Sequence, residues 1–258
     1  MRKCFVDFPV QAGQSFELKT EDAKHLLKSL RYQVDDQLVV VDQISREHLV
    51  AITAITNNVV TVVSLRSWQG ECELPSKIHL YQGIPKGDKM DLIIRQAVEL
   101  GVTSITPVAF TNCVVRIDEK KATKKVERWQ RVAEAACKQS GRSSLVQVHM
   151  PLNFEFALKQ AVATSGQAGV LIPWEAEETL TLRSYLENLR QELVAMPATA
   201  KEAKSISFFI GPEGGFSAKE IAQVKSMGAV CVSLGSRILR TETASAAVLA
   251  MITYALEL

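Results

Sequence analysis

The sequence predicts a two-domain α/β protein, with a small N-terminal β-barrel followed by a larger domain built on a mostly parallel sheet. Three observations lead to this prediction. Short β-branched runs dominate the region up to residue 72, strands alternate with helices beyond it, and two glycine turns near the C terminus each follow a predicted strand. Because ligands of open α/β sheets bind beyond the carboxyl ends of the strands, the two turns predict one ligand pocket.

The N-terminal domain is predicted to contain four strands and one helix. The pair Asn57-Asn58 supplies a hairpin turn. The helix is predicted over residues 21–31, with Thr20 as its N-cap. Its inward face carries the three leucines Leu26, Leu27 and Leu30. The predicted strands are Cys4–Phe8, Gln37–Asp42, Leu49–Ile55 and Val59–Leu65.

A linker is predicted from Ser67 to Pro75, where periodicity is lost and Gly and Pro appear. The domains are therefore expected at residues 1–72 and 73–258. In the second domain Gly101 and Gly141 end the first two helices. Its helices are predicted at Met90–Leu100, Val126–Ser140, Phe154–Ala163 and Leu180–Leu193, and its first strands at Ile78–Gln82, Ser104–Val108, Leu145–His149 and Gly169–Ile172. Residues 196–205 are predicted to form an exposed loop.

Composition excludes several protein classes. The hydrophobic fraction of 47% and the charged fraction of 22% are ordinary for a globular protein. No apolar run reaches the roughly 18 residues that span a bilayer, so no membrane association is expected, and the N terminus lacks a signal-peptide pattern. The five scattered cysteines contain no CxxC pair, which argues against disulfides and against a metal site. A cytoplasmic protein is expected.

Positive charge is concentrated in the middle of the chain. Residues 1–75 carry a net charge of −2, residues 76–150 carry +6, and residues 151–258 carry −2. A basic segment of this kind is typical of a protein that binds an anionic polymer. A charged helix face that is exposed only to water also explains a lysine run like the one over residues 120–125. Charge alone leaves both interpretations open.

The two glycine turns differ from the common nucleotide motifs. In the first turn, from Phe208 to Glu220, Pro212 and Glu213 break the dinucleotide-binding pattern, and no Lys-Ser or Lys-Thr pair follows as a P-loop requires. Ser217 with Glu220 forms a capping box that begins a helix. The second turn, VSLGSRILRTETA over residues 232–244, places Arg237, Arg240 and Glu242 beside a glycine, where charge favours function over packing.

Other candidate residues lie in the basic region. Lys86 and Lys89 stand at the start of a predicted helix, where lysines and backbone N–H groups suit phosphate. Arg95 follows in the same helix, and Arg142 follows the end of the next one. The four histidines are separated in sequence, and nothing suggests a Ser-His-Asp triad.

On these residues the chain resembles the RsmE family, SPOUT-class methyltransferases that act on a uridine of small-subunit ribosomal RNA. The resemblance covers the whole chain. The segments that carry it are IGPEGGFS over 210–217, LGSRILRTETA over 234–244, KGDKMD over 86–91, ELGV over 99–102, AACKQSGR over 135–142 and HLLKSLR over 25–31. The sequence departs from the family at Asp35-Asp36, where Gly-Asp is usual.

The resemblance implies a C-terminal SPOUT-type domain with a deep trefoil knot that binds S-adenosylmethionine (SAM), and an N-terminal PUA-like barrel that binds RNA. It also implies a homodimer whose active sites are each completed by the partner. The expected cofactor-binding residues are Leu171, Ile172, Ile210, Gly211, Pro212, Gly215, Leu234, Gly235, Ile238, Leu239, Arg240 and Thr241.

The expected reaction is methylation of uracil N3 in 16S ribosomal RNA, as free RNA or in the assembled small subunit. Because this nitrogen carries a proton, catalysis needs a base or a cation that stabilises the anion. Arg240 is the candidate cation, and Glu242 the candidate base or orienting residue. The expected RNA contacts are Arg31, Lys86, Lys89, Arg95, Arg142 and Arg237. Open alternatives are methylation of another RNA or atom, a different nucleotide-binding α/β enzyme, and a non-catalytic RNA-binding protein.

Overall fold

The computed structural model describes residues 3–74, 76–113, 119–166, 169–195 and 205–257. The chain folds into two compact units. The N-terminal unit comprises Met1–Glu73 and Cys137–Leu145, and the C-terminal unit comprises Leu74–Ala136 and Val146–Leu258. The N-terminal unit thus includes a segment of the predicted second domain. The loop expected at 196–205 lies outside the described residues except for Ser205.

Strands of the N-terminal unit pair into one sheet in the order β1-β3-β4-β5-β2. The hairpin of β4 and β5 turns at Asn57-Asn58 as predicted, and both residues have the positive φ that such a turn requires. Alternate residues such as Val40, Ile52 and Val62 point into an apolar core. The elements are β1 (Lys3–Phe5), β2 (Ser15–Glu17), α1 (Thr20–Lys28), β3 (Gln37–Val41), β4 (Arg46–Thr56) and β5 (Val59–Gln69).

Helix α1 differs from its prediction at both ends. It starts at Thr20, so Lys19 occupies the N-cap position and no side chain caps the helix. At the other end, the helix stops at Lys28, Arg31 adopts a φ of 58°, and the Tyr32 N–H donates to the Leu26 carbonyl. Leu30 therefore lies beyond the helix and is 41% exposed.

Two strands in this unit differ from the prediction. The segment Ser15–Glu17, for which no element was predicted, forms the short strand β2, because it pairs with the long strand β5 and Phe16 supplies a buried side chain. Strand β5 continues to Gln69, into the stretch predicted as linker, because its pairing with β4 extends to Arg46. Tertiary pairing therefore overrode a weak local pattern.

The C-terminal unit contains a parallel sheet with the strand order β12-β10-β11-β6-β7-β8, and β9 pairs with β7. Every pairing recorded in this sheet is parallel, which confirms the predicted α/β class. The strands are β6 (Lys77–Gly83), β7 (Ser104–Ala109), β8 (Gln147–Val148), β9 (Leu152–Asn153), β10 (Val170–Pro173), β11 (Ser205–Ile210) and β12 (Val230–Val232).

Helices connect these strands, and none of those described is long and apolar enough to cross a membrane. Gly101 and Gly141 have positive φ values after their helices, as predicted. The helices are α2 (Lys89–Glu99), α3 (Glu119–Ser140), α4 (Phe154–Ser165), α5 (Leu182–Ala195), α6 (Ala218–Ser226) and α7 (Thr241–Glu257).

An aromatic cluster fills one face of the parallel sheet. Tyr81 stacks on Phe209 with ring centroids 4.6 Å apart, and Phe154 meets Phe209 edge-on at 5.8 Å. Burial raises the pKa of Tyr81 to about 12, so its hydroxyl stays neutral. These contacts fix β6 against β11, the strands that lead into the proposed pocket.

His79 lies near the start of β6, at the end of this strand that is away from the cavity. Its Nδ1 lies 2.8 Å from the Ser104 hydroxyl, while its buried Nε2 has no hydrogen-bond partner among the described residues. Burial, with smaller contributions from Lys77 and His149, lowers the pKa of His79 from 6.5 to about 4. The ring is therefore neutral in the folded protein at physiological pH.

We expect the stability of the C-terminal unit to fall in mild acid because of His79. Between the unfolded pKa of 6.5 and the folded value of about 4, the unfolded state binds more protons, so stability is lost as pH falls through this window. Allowing for partial solvent exposure, His79 should contribute a loss of about 1 kcal/mol between pH 7 and pH 5. Chemical denaturation at both pH values should show that His79→Gln reduces this difference.

Ser104→Ala is the matched control, because it removes the hydrogen bond and keeps the ionisable ring. It should lower stability by a similar amount at both pH values. An acid dependence that is unchanged in His79→Gln would contradict this assignment.

Candidate functional site

A cavity of about 440 Å³ lies beyond the carboxyl ends of β10, β11 and β12 in the C-terminal unit. This is the position predicted from the two glycine turns. Its walls are three connections, one after each strand, together with the start of α2 and of α7. The lining residues are Lys89, Pro173, Trp174, Glu175, Ile210, Gly211, Pro212, Glu213, Gly215, Phe216, residues 234–241 and Ala244.

The first glycine turn is held by a capping box and by contacts from neighbouring loops. The Ser217 hydroxyl accepts from the Glu220 N–H, and a Glu220 carboxylate oxygen accepts from the Ser217 N–H at 2.7 Å, which confirms the predicted box. The second carboxylate oxygen accepts from the Thr111 N–H at 2.8 Å. Asn112 donates to the Gly214 carbonyl at 2.9 Å. The turn is therefore fixed before any ligand binds.

Close backbone packing brings this turn against β6. A Cβ atom on Gly83, the last residue of β6, would lie 2.5 Å from the Pro212 nitrogen and 2.8 Å from the Gly211 carbonyl carbon. Since no real Cβ approaches backbone so closely, only glycine permits this contact.

A buried polar network joins the first turn to the start of α7. The Thr241 hydroxyl donates to the Gly211 carbonyl at 2.7 Å and accepts from the Gln82 side chain at 3.0 Å. Ser245 donates to the other end of the same Gln82 amide at 2.5 Å. Gln82 and Ser245 are buried, so losing either partner would leave a desolvated polar group unpaired. The network places α7, and with it the second turn, over the ends of β6 and β11.

Lys89 lies between two carboxylates at the edge of the cavity. Its Nζ is 3.2 Å from Glu213 Oε1 in the first turn and 3.2 Å from Glu242 Oε2 at the start of α7. Glu213 also accepts from the Lys86 N–H at 3.2 Å. Glu242 Oε2 is buried, and its contact with the Lys89 ammonium is an ion pair.

Both carboxylates are held in the charged form. Burial opposes ionisation of Glu213, but its own N–H, the Lys86 N–H and the Lys89 ammonium together lower the pKa of this carboxyl. The N–H of Glu242 lowers the pKa of its own side chain, burial opposes that effect, and Lys89 adds to it. In turn Glu242 and Glu213 raise the pKa of Lys89.

Most of the residues expected to bind cofactor line the cavity. Those in the two turns and at the start of α7, from Ile210 to Gly215 and from Leu234 to Thr241, line it. Leu171 and Ile172 do not. They lie fully buried inside β10, because that strand continues to Pro173 and its side chains pack into the core. The residues that line the cavity after β10 are Pro173, Trp174 and Glu175.

The candidate catalytic residues occupy different positions. Arg240 is exposed and lines the cavity. Glu242 is paired with Lys89 and is not among the lining residues. Lys89, expected only to contact phosphate, is the member of this ion pair that lines the cavity.

The residues expected to contact RNA fall in both units. Arg31 lies in the N-terminal unit, and Lys86, Lys89, Arg95 and Arg237 lie in the C-terminal unit. Arg31, Lys86, Arg95 and Arg237 are exposed. The side chains of Lys120 and Lys121, in the lysine run, lie outside the described residues.

Arg142 has a structural environment that does not suit a phosphate contact. It is only 5% exposed, and its Nε donates to both Glu73 oxygens at 3.0 Å. Glu73 also accepts from the Ser143 N–H at 2.8 Å. A buried guanidinium committed to a carboxylate is not available to RNA without losing that pair, so Arg142 is removed from the candidate contacts.

A serine, a histidine and an aspartate do meet in the N-terminal unit. His48 Nε2 lies 3.1 Å from Asp42, and its Nδ1 lies 3.3 Å from the Ser64 hydroxyl. All three side chains are buried, so no substrate reaches the serine. The cluster satisfies polar groups between β3, β4 and β5, and is not a nucleophilic site.

Comparison with known proteins identifies relatives over the whole chain. A family profile described as an RNA methyltransferase domain matches residues 72–253, and one described as an RNA methyltransferase PUA domain matches residues 18–63. Ribosomal RNA small subunit methyltransferase E of Bacillus subtilis is 28% identical over 100% of this chain and 98% of its own length. Its Synechocystis counterpart is 31% identical over 93% of this chain and 73% of its own.

Two solved methyltransferase structures are similar to this chain over nearly its whole length. Ribosomal RNA small subunit methyltransferase E from Neisseria gonorrhoeae, bound to SAM, superposes with a TM-score of 0.82 and 29% identity, covering 98% of this chain and 97% of that one. A Legionella pneumophila methyltransferase in complex with SAM superposes with a TM-score of 0.83 and 30% identity over the same shares.

Proposed function

This chain belongs to the RsmE family of SAM-dependent ribosomal RNA methyltransferases, and from that premise we propose that it methylates N3 of one uridine in 16S ribosomal RNA. The observation that carries the proposal is the cavity formed by the two glycine turns, with Arg237, Arg240 and Lys89 in its wall. Such a site can hold an uncharged nucleoside part of a cofactor and place cations beside a base that must lose a proton.

The cavity suits SAM in size and chemistry. Its volume lies within the roughly 300–1,000 Å³ typical of small-molecule sites. A Cβ on Gly235 would meet no protein atom within 4 Å, so this wall is open to close approach by a ligand. Ile210, Leu234, Ile238 and Leu239 supply apolar cover, and the backbone of the turns supplies donors and acceptors for an adenine ring. When bound, SAM supplies a methyl group on a positively charged sulfur.

The residues of the chain must then orient the uracil and manage the charge at N3. The N3–H proton leaves to solvent, the N3 electron pair forms the new bond to the methyl carbon, and the electrons of the broken bond stay with sulfur. Arg240 lies where a cation can stabilise the uracil anion before transfer. The walls of the cavity align the two groups and exclude water, which can contribute several kcal/mol.

Recognition of the ribosomal substrate is assigned to both units. The N-terminal unit matches a PUA domain, and exposed Arg31 is its candidate phosphate contact. In the C-terminal unit Lys86, Arg95 and Arg237 are the candidates. The substrate is proposed to be 16S ribosomal RNA, free or in the small subunit, which places the enzyme in the cytoplasm.

We also propose the family's finer architecture, a PUA-like barrel and a trefoil knot. Support for the knot comes from the path of residues 233–240. Strand β12 lies at the edge of the sheet, yet α7 begins against Gly211 and Gln82, at the ends of β11 and β6. The segment therefore crosses over the ends of β10 and β11, and we propose that it passes through the connection that follows β10.

A homodimer is proposed from the surface of α7. Met251 and Tyr254 are 48% and 69% exposed, and Leu92 is exposed on α2, the helix that packs against α7. A second copy of the chain would cover these apolar side chains. A monomeric mass by sedimentation velocity at micromolar concentration would contradict the dimer.

The decisive experiment is mass spectrometry of 16S ribosomal RNA from a strain that lacks the gene. One uridine should lose a methyl group, and purified enzyme with SAM should restore N3-methyluridine at that position. Restoration of a methyl group on another atom or another RNA would overturn the N3 assignment while leaving the cofactor assignment intact.

A further inference from the structure

We infer that Lys89 is a catalytic residue, which stabilises the negative charge of the uracil ring, and that Glu213 and Glu242 are positioning residues that hold its ammonium at the cavity wall. This inference rests on the proposed function and deepens it. It gives Lys89 a different role from a phosphate contact, and it removes Glu242 from direct chemistry.

The three side chains form a cluster at the cavity wall, in which Lys89 and Glu213 line the cavity and Glu242 does not. Lys89 is at the first position of α2 and lines the cavity, with its side chain 35% exposed. Glu242 holds the ammonium from α7 and Glu213 holds it from the first turn, each at 3.2 Å. Two carboxylates on separate elements therefore restrict a side chain that is otherwise flexible.

The ammonium retains hydrogen-bonding capacity for a ligand. A lysine has three N–H donors. The contacts with Glu213 and Glu242, each at 3.2 Å, engage at most two of them, so at least one N–H stays available. An oxygen of the uracil ring in the cavity can accept from the remaining donors without displacing either carboxylate. Loss of the N3 proton places negative charge on the ring oxygens, where the ammonium is most effective.

The charge states agree with this division of roles. The pKa of Glu242 is lowered, which makes this carboxylate a poor acceptor for the N3 proton. The pKa of Lys89 is raised by Glu242 and Glu213, so the lysine remains a cation as uracil ionises. No histidine or cysteine is among the described residues that line the cavity; the charged groups that line it besides Lys89 are Glu175, Glu213, Arg237 and Arg240, and Glu213 is paired with Lys89. In this assignment the proton goes to water, and the lysine cation lowers the pH at which the bound base ionises.

The test compares Lys89→Met with Lys86→Met, a lysine three residues earlier that is not among the lining residues. Single-turnover methylation of small subunits from the deletion strain is measured across pH. In the wild type the rate should rise with pH and then level off. In Lys89→Met it should be about 10- to 100-fold lower at pH 7 and level off about one pH unit higher or more, because the anion has lost its cation.

The control should behave differently. Lys86→Met should weaken subunit binding and flatten its salt dependence while the pH profile keeps its wild-type midpoint. Calorimetry should show SAM affinity within a few-fold of wild type for both variants. A Lys89→Met profile that levels off at the wild-type pH would overturn the inference, because a structural or phosphate-binding role predicts that result.

Lys89→Met leaves the carboxylates of Glu213 and Glu242 without their shared cation, and their repulsion could distort the site. A second variant tests whether this repulsion causes the effect. Lys89→Met/Glu213→Gln restores the cluster's net charge of −1. It should keep the shifted pH profile, and a return to the wild-type midpoint would assign the effect to carboxylate repulsion and overturn the inference. If wild-type enzyme transfers no methyl group to uracil N3, the proposed function fails, which is distinguishable from an effect of Lys89 alone.

Discussion

Replacing Gly235 with valine should abolish measurable SAM binding, lowering the affinity by at least about 100-fold, or ~2.7 kcal/mol. Gly235 lines the cavity with a φ of 96°, and a Cβ there would meet no protein atom within 4 Å. A valine side chain would therefore project into space that the cofactor needs. Isothermal titration calorimetry with SAM measures the effect directly.

Valine at this φ is also strained, so the control must carry the same strain elsewhere. Gly166 has a φ of 69°, is exposed after α4, and likewise has open space around its Cβ position. Both Gly166→Val and Gly235→Val should lose roughly 1–3 kcal/mol of stability. Only Gly235→Val should lose SAM. If it binds SAM within a few-fold of wild type, the cavity is not the cofactor site.

Arg240→Ala should lower kcat on the small subunit by about 100-fold or more while changing SAM affinity by less than about threefold. The guanidinium lines the cavity at the start of α7, and its charge would act on the uracil anion that forms before methyl transfer. An interaction made chiefly in the transition state reduces kcat more than it raises KM. Steady-state kinetics with calorimetry on the same preparation separates the two quantities.

Arg183→Ala is the matched control. Arg183 is an exposed arginine on α5 that pairs with Glu187 at 2.8 Å, and its replacement should leave kcat unchanged. Wild-type kcat in Arg240→Ala would remove Arg240 from the chemistry and leave Lys89 as the proposed catalytic cation.

The location of the site could be predicted because it depends on local features of the sequence. Glycines that follow apolar runs and the Ser217–Glu220 capping box are local signals, and the structure confirms the box and the cavity beside it. The carboxyl-end rule for parallel sheets then placed both turns at one edge. The same rule applied to β10 would have found Trp174 and Glu175, had the strand been extended by the one residue Pro173.

The pairing of charges was not predictable in the same way. Lys89 meets Glu213 across 124 positions of sequence, and nothing local relates them. Arg142 looked like an exposed helix-end donor, but it is buried against Glu73. Leu30 is exposed because α1 ends before it, at Lys28, and the following Arg31 adopts a left-handed conformation that is uncommon for arginine. These features depend on tertiary contacts, which a linear pattern does not contain.

The hydrogen bond between Gln82 and Thr241 has a consequence for synthesis of the chain. It joins residues 159 positions apart, and the cavity also needs the turns that follow β10, β11 and β12. Loop closure over such a distance is slow and gains nothing until both ends are present. A chain still emerging from the ribosome is therefore not expected to capture cofactor until helix α7 has been made, so SAM binding would report that this helix has been synthesised and has docked in the C-terminal unit.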